Sequence, residues 1–237
     1  MDCIDLWAVD RIDGAAALGR LPGLTTLKLQ ASELPGNLTF LNQLRQLGIL
    51  WLGGLTRGVN DLSALAELAQ LKKLYLFDNP ESVEPTMLRT LSRLVLLRAT
   101  HHGQGGELRA LIDCLTDLPD FRNLYLSNCR TVTDITPLAR LRRLTGLQLA
   151  DASNLDDIAT LAQLPDLKLL DLTNGLALHD LSVLAELAGL QVLSLGGCAA
   201  LQDISPLAGL RTLKRKHSRS RRPRRGCGEA MVGCEAW

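Results

Sequence analysis

The chain has 237 residues, of which 46% are hydrophobic and 3% aromatic, and its formal net charge is +1. This is enough apolar material for a continuous core of leucine and alanine, and no apolar run reaches the length of about 20 residues that a transmembrane helix needs. The first residues lack the basic and apolar regions of a signal peptide, and the six cysteines show no paired spacing. We therefore expect a cytoplasmic protein with reduced thiols and no membrane segment.

A motif of the form L-x-x-L-x-L recurs along the chain. Its eight copies end at residues 29, 52, 76, 99, 126, 149, 172 and 195, two of them with Ala99 or Phe121 in place of a leucine, and five of the seven steps are 23 residues long. L-x-L alternation makes a short strand with one buried face, which a single unit cannot cover, so the units must stack. A fixed period of this length with this core is the signature of a leucine-rich repeat. Residues 1–213 are therefore predicted to form an α/β solenoid, with a parallel concave sheet and short convex helices and turns.

The two ends of the repeat region differ from its middle. Ile4 and Leu6 already resemble part of a repeat, and nothing before them resembles the polar cap that closes many solenoids. The longest step, 27 residues, contains leucine and isoleucine at helical spacing between residues 108 and 118, which predicts a true α-helix there. Shorter helical turns are expected in the other repeats.

The convex segments carry a start signal. An aspartate precedes the Ile or Leu that opens each of five of them, at Asp61, Asp134, Asp157, Asp180 and Asp203. A carboxylate at an N-cap accepts backbone N–H groups and contributes about 1 kcal/mol. Pro137 and Pro206 follow within the first turn, where a missing N–H does no harm. These aspartates are interpreted as helix caps rather than catalytic or metal-binding groups.

The ninth position of each unit varies from repeat to repeat, so the turn backbone bonds that a regular Asn or Cys makes there must go elsewhere. We interpret Cys129 and Cys198 in this column as small buried hydrophobes, not as nucleophiles or zinc ligands.

The residue between the last two strand leucines should face the concave surface. In chain order this position holds Lys28, Trp51, Tyr75, Arg98, Tyr125, Gln148, Asp171 and Ser194. It thus contains one of three tryptophans and both tyrosines, and Phe77 should join them. Trp, Tyr and Arg dominate binding hot spots, which favours a partner-binding surface centred on the residues from Trp51 to Tyr125. The alternative is that aromatic residues simply suit strands.

Signals of enzymatic chemistry are absent from the sequence. It contains no phosphate-binding loop, no H-E-x-x-H zinc motif and no G-x-S-x-G nucleophile motif. We expect a non-catalytic protein without a cofactor. The competing hypothesis is an enzyme or metal site at His101 and His102, which lie in a glycine-rich insertion.

Residues 214–237 contain eight lysines and arginines against two glutamates, whereas the rest of the chain is mildly acidic. They contain no Leu, Ile or Phe, so this basic tail is expected to be disordered. Three interpretations compete: a nucleic-acid-binding arm, a plain solvated extension, and out-of-frame sequence appended to a truncated array. The break inside a repeat motif favours the third, under which basic charge would give only weak, salt-sensitive nucleic-acid binding.

The unit L-x-x-L-x-L-x-x-C-x-x-L-x-D-I-x-P-L-A-x-L-x-x-L resembles bacterial leucine-rich repeats over residues 4–213. It looks most like the C-terminal repeat arrays of actinobacterial NACHT-type, NLR-like NTPases, and it is also similar to internalin-type repeats. The first resemblance implies the sensor part of such a system, with a protein ligand on the concave face and an NTPase domain encoded upstream. It supplies no fixed functional residues.

Overall fold

The fold is a single open sheet backed by short helices. The computed structural model describes residues 2–33, 38–54, 62–77, 85–100 and 107–214. In this part of the chain, nine parallel strands follow one another across the sheet in chain order. They are β1 (Cys3–Arg11), β2 (Thr26–Glu33), β3 (Ile49–Gly53), β4 (Lys73–Phe77), β5 (Leu96–Thr100), β6 (Asn123–Ser127), β7 (Gly146–Leu149), β8 (Leu169–Asp171) and β9 (Val192–Ser194). The predicted α/β leucine-rich repeat solenoid is confirmed.

Stacked leucines hold the units together. The register places Leu124 of β6 opposite Leu147 of β7, and Leu147 opposite Leu170 of β8. All three side chains have no measurable exposure to solvent. Leucines from the convex segments close the core from the other side, so each unit buries its apolar face only through its neighbours.

Strand β1 adds a ninth unit to the eight copies of the full motif. Ile4 and Leu6 pair in register with Leu27 and Leu29 of β2. The register then shifts between Leu6 and Val9, and Ala8 between them has a φ of 59°. A bulge of this kind bends a strand and redirects its side chains.

The convex side is built mainly from 3-10 helices. In the described residues these are Ala15–Arg20, Thr39–Gln43, Ser63–Glu67, Pro85–Thr90, Thr136–Arg140, Ala159–Gln163, Ser182–Glu186 and Ser205–Gly209. The predicted α-helix is present as α1 (Glu107–Leu115). An ion pair between Asp113 of α1 and Arg140 joins this helix to the convex segment of the next repeat. None of the helices in the described ranges is long and apolar enough to span a membrane.

Each predicted capping aspartate in the described residues lies one residue before the N-cap and accepts a backbone N–H group from the first residue of the 3-10 helix. Asp134 Oδ1 accepts the backbone N–H of Thr136 at 2.8 Å, and the N-cap residue itself is Ile135, which is 2% exposed. The same 2.8 Å contact recurs from Asp157, Asp180 and Asp203. The N-cap side chains Ile135, Ile158 and Leu181 are buried in the core, so each of these carboxylates reaches past the N-cap to the first helical residue. Asp203 makes the same bond although its N-cap, Ile204, is 66% exposed. The predicted bond is confirmed and its position is shifted; Asp61 lies outside the described residues.

These turns predict an acid-sensitive part of the stability. The pKa values of Asp134, Asp180 and Asp203 lie below the ordinary 3.8, mainly because each carboxylate accepts a backbone N–H. A lowered folded-state pKa gives stability that is present above the ordinary pKa and is lost as the pH falls through the lower value. Replacing all three with asparagine keeps an acceptor oxygen that does not titrate. Between about pH 5 and about pH 3, urea denaturation should show wild type losing more stability than this variant; parallel losses would contradict the assignment.

Both ninth-position cysteines are buried, which confirms their interpretation as core groups. Cys129 has no exposure, and burial raises the pKa of its thiol to about 12. Burial also raises the pKa of Cys198, whose Sγ lies 3.3 Å from the carbonyl oxygen of Leu172. A thiol with a raised pKa is a poor nucleophile and a poor metal ligand at neutral pH.

The eighth position of the repeat unit makes hydrogen bonds in the turns that the variable ninth position does not make. Asn128, Asp151 and Asn174 all have φ near 60°, a left-handed conformation that Asn and Asp tolerate better than most residues. Asp151 accepts the backbone N–H of Asn128 at 3.3 Å and the side-chain amide of Asn174 at 2.8 Å. A polar ladder thus links three successive turns.

Candidate functional site on the concave face

The concave column predicted from the sequence is a continuous row in the sheet. The strand register pairs its members one with the next, and it extends the row by one residue at β1. In order, the row holds Asp5, Lys28, Trp51, Tyr75, Arg98, Tyr125, Gln148, Asp171 and Ser194. Neighbours in this row lie on adjacent strands, which places them about 5 Å apart at the backbone.

An aromatic cluster occupies the N-terminal half of this face. The rings of Trp51 and Tyr75 stack with their centroids 3.8 Å apart and their planes 12° from parallel. Trp7 of β1 meets Trp51 edge-on at 5.9 Å and Phe77 at 6.4 Å. Stacked and edge-to-face pairs are the favoured arrangements of aromatic rings. We call these four residues the aromatic cluster; Trp7, Trp51 and Tyr75 keep part of their surface in solvent.

Phe77 is the buried member of the aromatic cluster and packs against the other rings. Its side chain is only 5% exposed, and its ring centroid lies 5.8 Å from that of Trp51 and 6.3 Å from that of Tyr75. Gly53 is its register partner on β3, and a Cβ there would lie 3.6 Å from the Phe77 Cβ. Phe77 is on the predicted face, but it presents much less surface to a partner than Trp51 and Tyr75.

Two cations flank the cluster. Lys28 Nζ lies 5.4 Å from the centroid of the Trp51 ring and 3.4 Å from Asp5 Oδ2, so its charge is largely compensated within the chain. The Arg98 guanidinium lies 5.9 Å from the centroid of the Phe77 ring. Within the described residues no carboxylate lies within ion-pair distance of Arg98. Both cations are positioned by aromatic faces, which attract positive charge.

Tyr125 extends the row on the far side of Arg98. Its hydroxyl lies 3.3 Å from Asn123 Oδ1. A Cβ added to Gly146, on the adjacent strand, would lie 2.5 Å from both of these oxygen atoms. The absence of a side chain at position 146 therefore lets the Tyr125 ring lie over β7.

This close approach can be tested with Gly146→Ala. The added methyl group meets only the ends of two side chains, so we expect the free energy of unfolding to stay within about 1 kcal/mol of wild type. The Tyr125 ring should move, and because the chain has only two tyrosines, labelled-tyrosine NMR would resolve it from Tyr75. Unchanged Tyr125 resonances would show that the ring does not depend on Gly146, and a loss of several kcal/mol would show that the ring cannot move aside for the methyl group.

The C-terminal half of the row is polar. Asp171 Oδ1 accepts the backbone N–H of Thr173 at 2.9 Å and its hydroxyl at 2.5 Å. The Thr173 hydroxyl also lies 2.9 Å from Ser194 Oγ. This network fixes the Asp171 carboxylate through one oxygen. Gln148 is half-buried between Tyr125 and Asp171 in the row.

Sequence reasoning missed Trp7 and Asp5. Both precede the first complete copy of the motif, and Trp7 lies two residues after Asp5, outside the column that supplied most of the other candidates. Counting Ile4 and Leu6 as strand leucines would have placed Asp5 in the row. The bulge after Leu6 carries no comparably clear sequence signal.

The competing hypotheses concern residues beyond the described part of the chain. Its residues contain no group of three or more His, Cys, Asp or Glu side chains arranged to hold a metal ion. His101, His102 and the basic tail beyond Lys214 lie outside the described residues.

Comparisons with known proteins concern the fold. Neither a protein-family model nor a curated protein matches the sequence. Among solved structures, an internalin C2 from Listeria monocytogenes is 26% identical with a TM-score of 0.52, covering 88% of this chain and 76% of that one. An internalin (inlF) from the same organism is 21% identical with a TM-score of 0.47, covering 83% and 81%. The ectodomain of the Arabidopsis thaliana receptor kinase GASSHO1 is 20% identical with a TM-score of 0.47, covering 90% and 32%. The nine stacked units and the likeness to internalin C2 together establish a leucine-rich repeat fold.

Proposed function

We propose that this chain is a non-catalytic protein-recognition module that binds a protein partner on its concave face. The observation that carries the proposal is the stacked pair of Trp51 and Tyr75, two large, partly exposed rings held side by side in the N-terminal half of the concave face. Rigid aromatic rings supply much contact area and lose little conformational entropy on binding, which is why they dominate interface hot spots.

The surroundings of the stack resemble the anatomy of an interface. A second row of concave residues, two positions before the first, contributes half-buried aliphatic side chains at Ile49, Leu96, Leu169 and Val192. Charged groups lie at intervals along the same face, at Lys28, Arg98 and Asp171. An apolar centre with polar groups around it is typical of protein–protein interfaces.

We further propose that the array is the cytoplasmic sensor portion of an NLR-like system, with an NTPase domain encoded upstream. The resemblance of the repeat unit to NACHT-type NTPase arrays supports this proposal. It predicts that the coding sequence before this chain specifies a nucleotide-binding loop. The basic tail adds at most weak, salt-sensitive binding to nucleic acid.

The binding proposal is tested by affinity enrichment from source-cell extract. Wild type, the double variant Trp51→Ala/Tyr75→Ala and the control Leu176→Ala would be immobilised in parallel, and bound proteins quantified by mass spectrometry. Leu176 is 51% exposed in the turn after β8, so the control removes an exposed apolar side chain away from the concave face.

We expect a defined protein to be enriched equally by wild type and by Leu176→Ala, and to be lost from the double variant. If the double variant retains every protein that wild type binds, the concave face is not the binding surface. Circular dichroism of the three proteins would establish that each is equally folded.

A further inference from the structure

Charge is arranged asymmetrically along the concave row, and the asymmetry carries information about the partner. On the N-terminal side, the positive charge of Lys28 is compensated by Asp5 at 3.4 Å. Arg98 comes next among the charged members of the row, and it has no carboxylate partner among the described residues. Lys73 lies two residues before Tyr75 on the same face of β4 and is exposed. The surface beside the aromatic stack is therefore positive.

A negative charge lies three strands beyond Arg98, at Asp171. Asp171 uses Oδ1 for the two hydrogen bonds from Thr173, and no described residue donates to its Oδ2. No lysine or arginine of the described residues lies within ion-pair distance of Asp171. The row thus presents one uncompensated cation and one uncompensated anion, each held in place by its own chain.

Their separation follows from the register. Arg98 pairs with Tyr125, Tyr125 with Gln148 and Gln148 with Asp171, so the two charges lie three strand spacings apart. At about 4.8 Å per strand this is about 14 Å, which matches about four residues of an extended peptide. The aromatic stack lies one to two strands beyond Arg98, on the side away from Asp171.

From this spacing we infer that the concave row recognises an extended peptide segment with three ordered features: an apolar or aromatic anchor, an acidic residue beside it, and a basic residue about four positions beyond the acidic one. The anchor packs on Trp51 and Tyr75. The acidic side chain accepts hydrogen bonds from Arg98, whose planar guanidinium suits a carboxylate. The basic side chain pairs with Asp171 Oδ2. This inference rests on the proposed function and specifies the chemistry of the partner.

Charge complementarity favours this occupant over a nucleic acid. A phosphate backbone needs repeated positive groups along its path, whereas the C-terminal half of this row carries an uncompensated carboxylate at Asp171. The same sign pattern fixes the direction of the peptide along the sheet, because a reversed segment would place like charges together at both positions.

The test uses a displayed library of random twelve-residue peptides as the probe. The full chain would be screened as wild type, Arg98→Glu, Asp171→Asn and Trp51→Ala/Tyr75→Ala. Asparagine at position 171 keeps an acceptor for Thr173 and removes only the charge. The controls are Arg142→Glu and Asp166→Asn, which make the same charge changes at exposed residues in turns outside the sheet.

Wild type and both controls should select peptides with an apolar anchor, an acidic residue, and a basic residue three to five positions beyond it. Arg98→Glu should select a basic residue at the first charged position and should bind wild-type-selected peptides at least about tenfold more weakly. Asp171→Asn should lose the preference for the basic residue and keep the other two features.

Failure of the inference is distinguishable from failure of the proposed function. If peptides depend on Trp51 and Tyr75 but show no charge pattern, or keep it in Arg98→Glu and Asp171→Asn, the inference is overturned and the binding surface stands. If the double aromatic variant binds every peptide that wild type selects, or if wild type selects none, the inference and the proposed function are both overturned. If Arg98→Glu and Arg142→Glu select the same peptides, Arg98 does not contribute to peptide recognition.

Discussion

Replacing Leu147 with alanine is expected to lower the free energy of unfolding by about 2–5 kcal/mol. Leu147 lies in β7 between Leu124 and Leu170, and all three side chains are fully buried. Truncation leaves a cavity between repeats that the surrounding leucines fill only in part. Each repeat contacts only its neighbours, so the loss also weakens the coupling between the two halves of the array. Urea denaturation followed by circular dichroism measures the effect.

A matched control is available at the end of the described array. Leu193 of β9 occupies the same repeat position as Leu147 and pairs with Leu170 on one side, but it is only half-buried. Leu193→Ala should therefore cost clearly less than Leu147→Ala, because less apolar surface returns to water. Leu124→Ala should match Leu147→Ala. Equal losses at positions 147 and 193 would contradict a core stabilised by stacking on both sides.

The sequence predicts most of this fold because one local pattern recurs. Strand leucines such as Leu124 and Leu147 appear at fixed spacing, and a stacked parallel sheet is the arrangement that buries them all. The helical spacing from Leu108 onward likewise predicts α1, which begins at Glu107. The same logic places Trp51, Tyr75 and Arg98 in one row, since residues at equal repeat positions lie side by side.

Features that break the repeat are not predictable in the same way. Trp7 reaches the aromatic cluster beside a bulge in β1, and nothing in the 23-residue pattern encodes that bulge. Phe77 shares a face with Tyr75, yet its burial depends on Gly53 beside it and on Trp7 from three strands away. Both outcomes depend on contacts between side chains of different repeats, which position within a unit does not specify.

The hydrogen bonds of the aspartate-containing turns were also only partly predictable from the sequence. An aspartate before Ile135 correctly predicted a hydrogen bond to the helix start, but not which residue would be the N-cap. The competing requirement, burial of the isoleucine side chain, is a tertiary effect that overrides the local capping preference. The ladder through Asn128, Asp151 and Asn174 could have been found from the sequence, because Asn and Asp recur there at 23-residue spacing.

Trp51→Ala and Tyr75→Ala are each expected to weaken binding of the partner by about 2 kcal/mol or more. Neither ring belongs to the leucine core, so the urea midpoint should change little in comparison with Leu147→Ala. Phe77→Ala is a poorer test, because that side chain is 5% exposed and its loss would destabilise the chain as well.

The two losses should not add. The ring centroids lie 3.8 Å apart, so each ring orients the other, and removing one already spoils part of the contact made by its neighbour. In a double-mutant cycle with the partner or a selected peptide, Trp51→Ala/Tyr75→Ala should therefore cost less than the sum of the single variants. Leu176→Ala should leave the dissociation constant unchanged. Normal affinity in both single variants would rule out the aromatic stack as the centre of the binding surface, whereas strictly additive losses would show that the rings contact the partner independently.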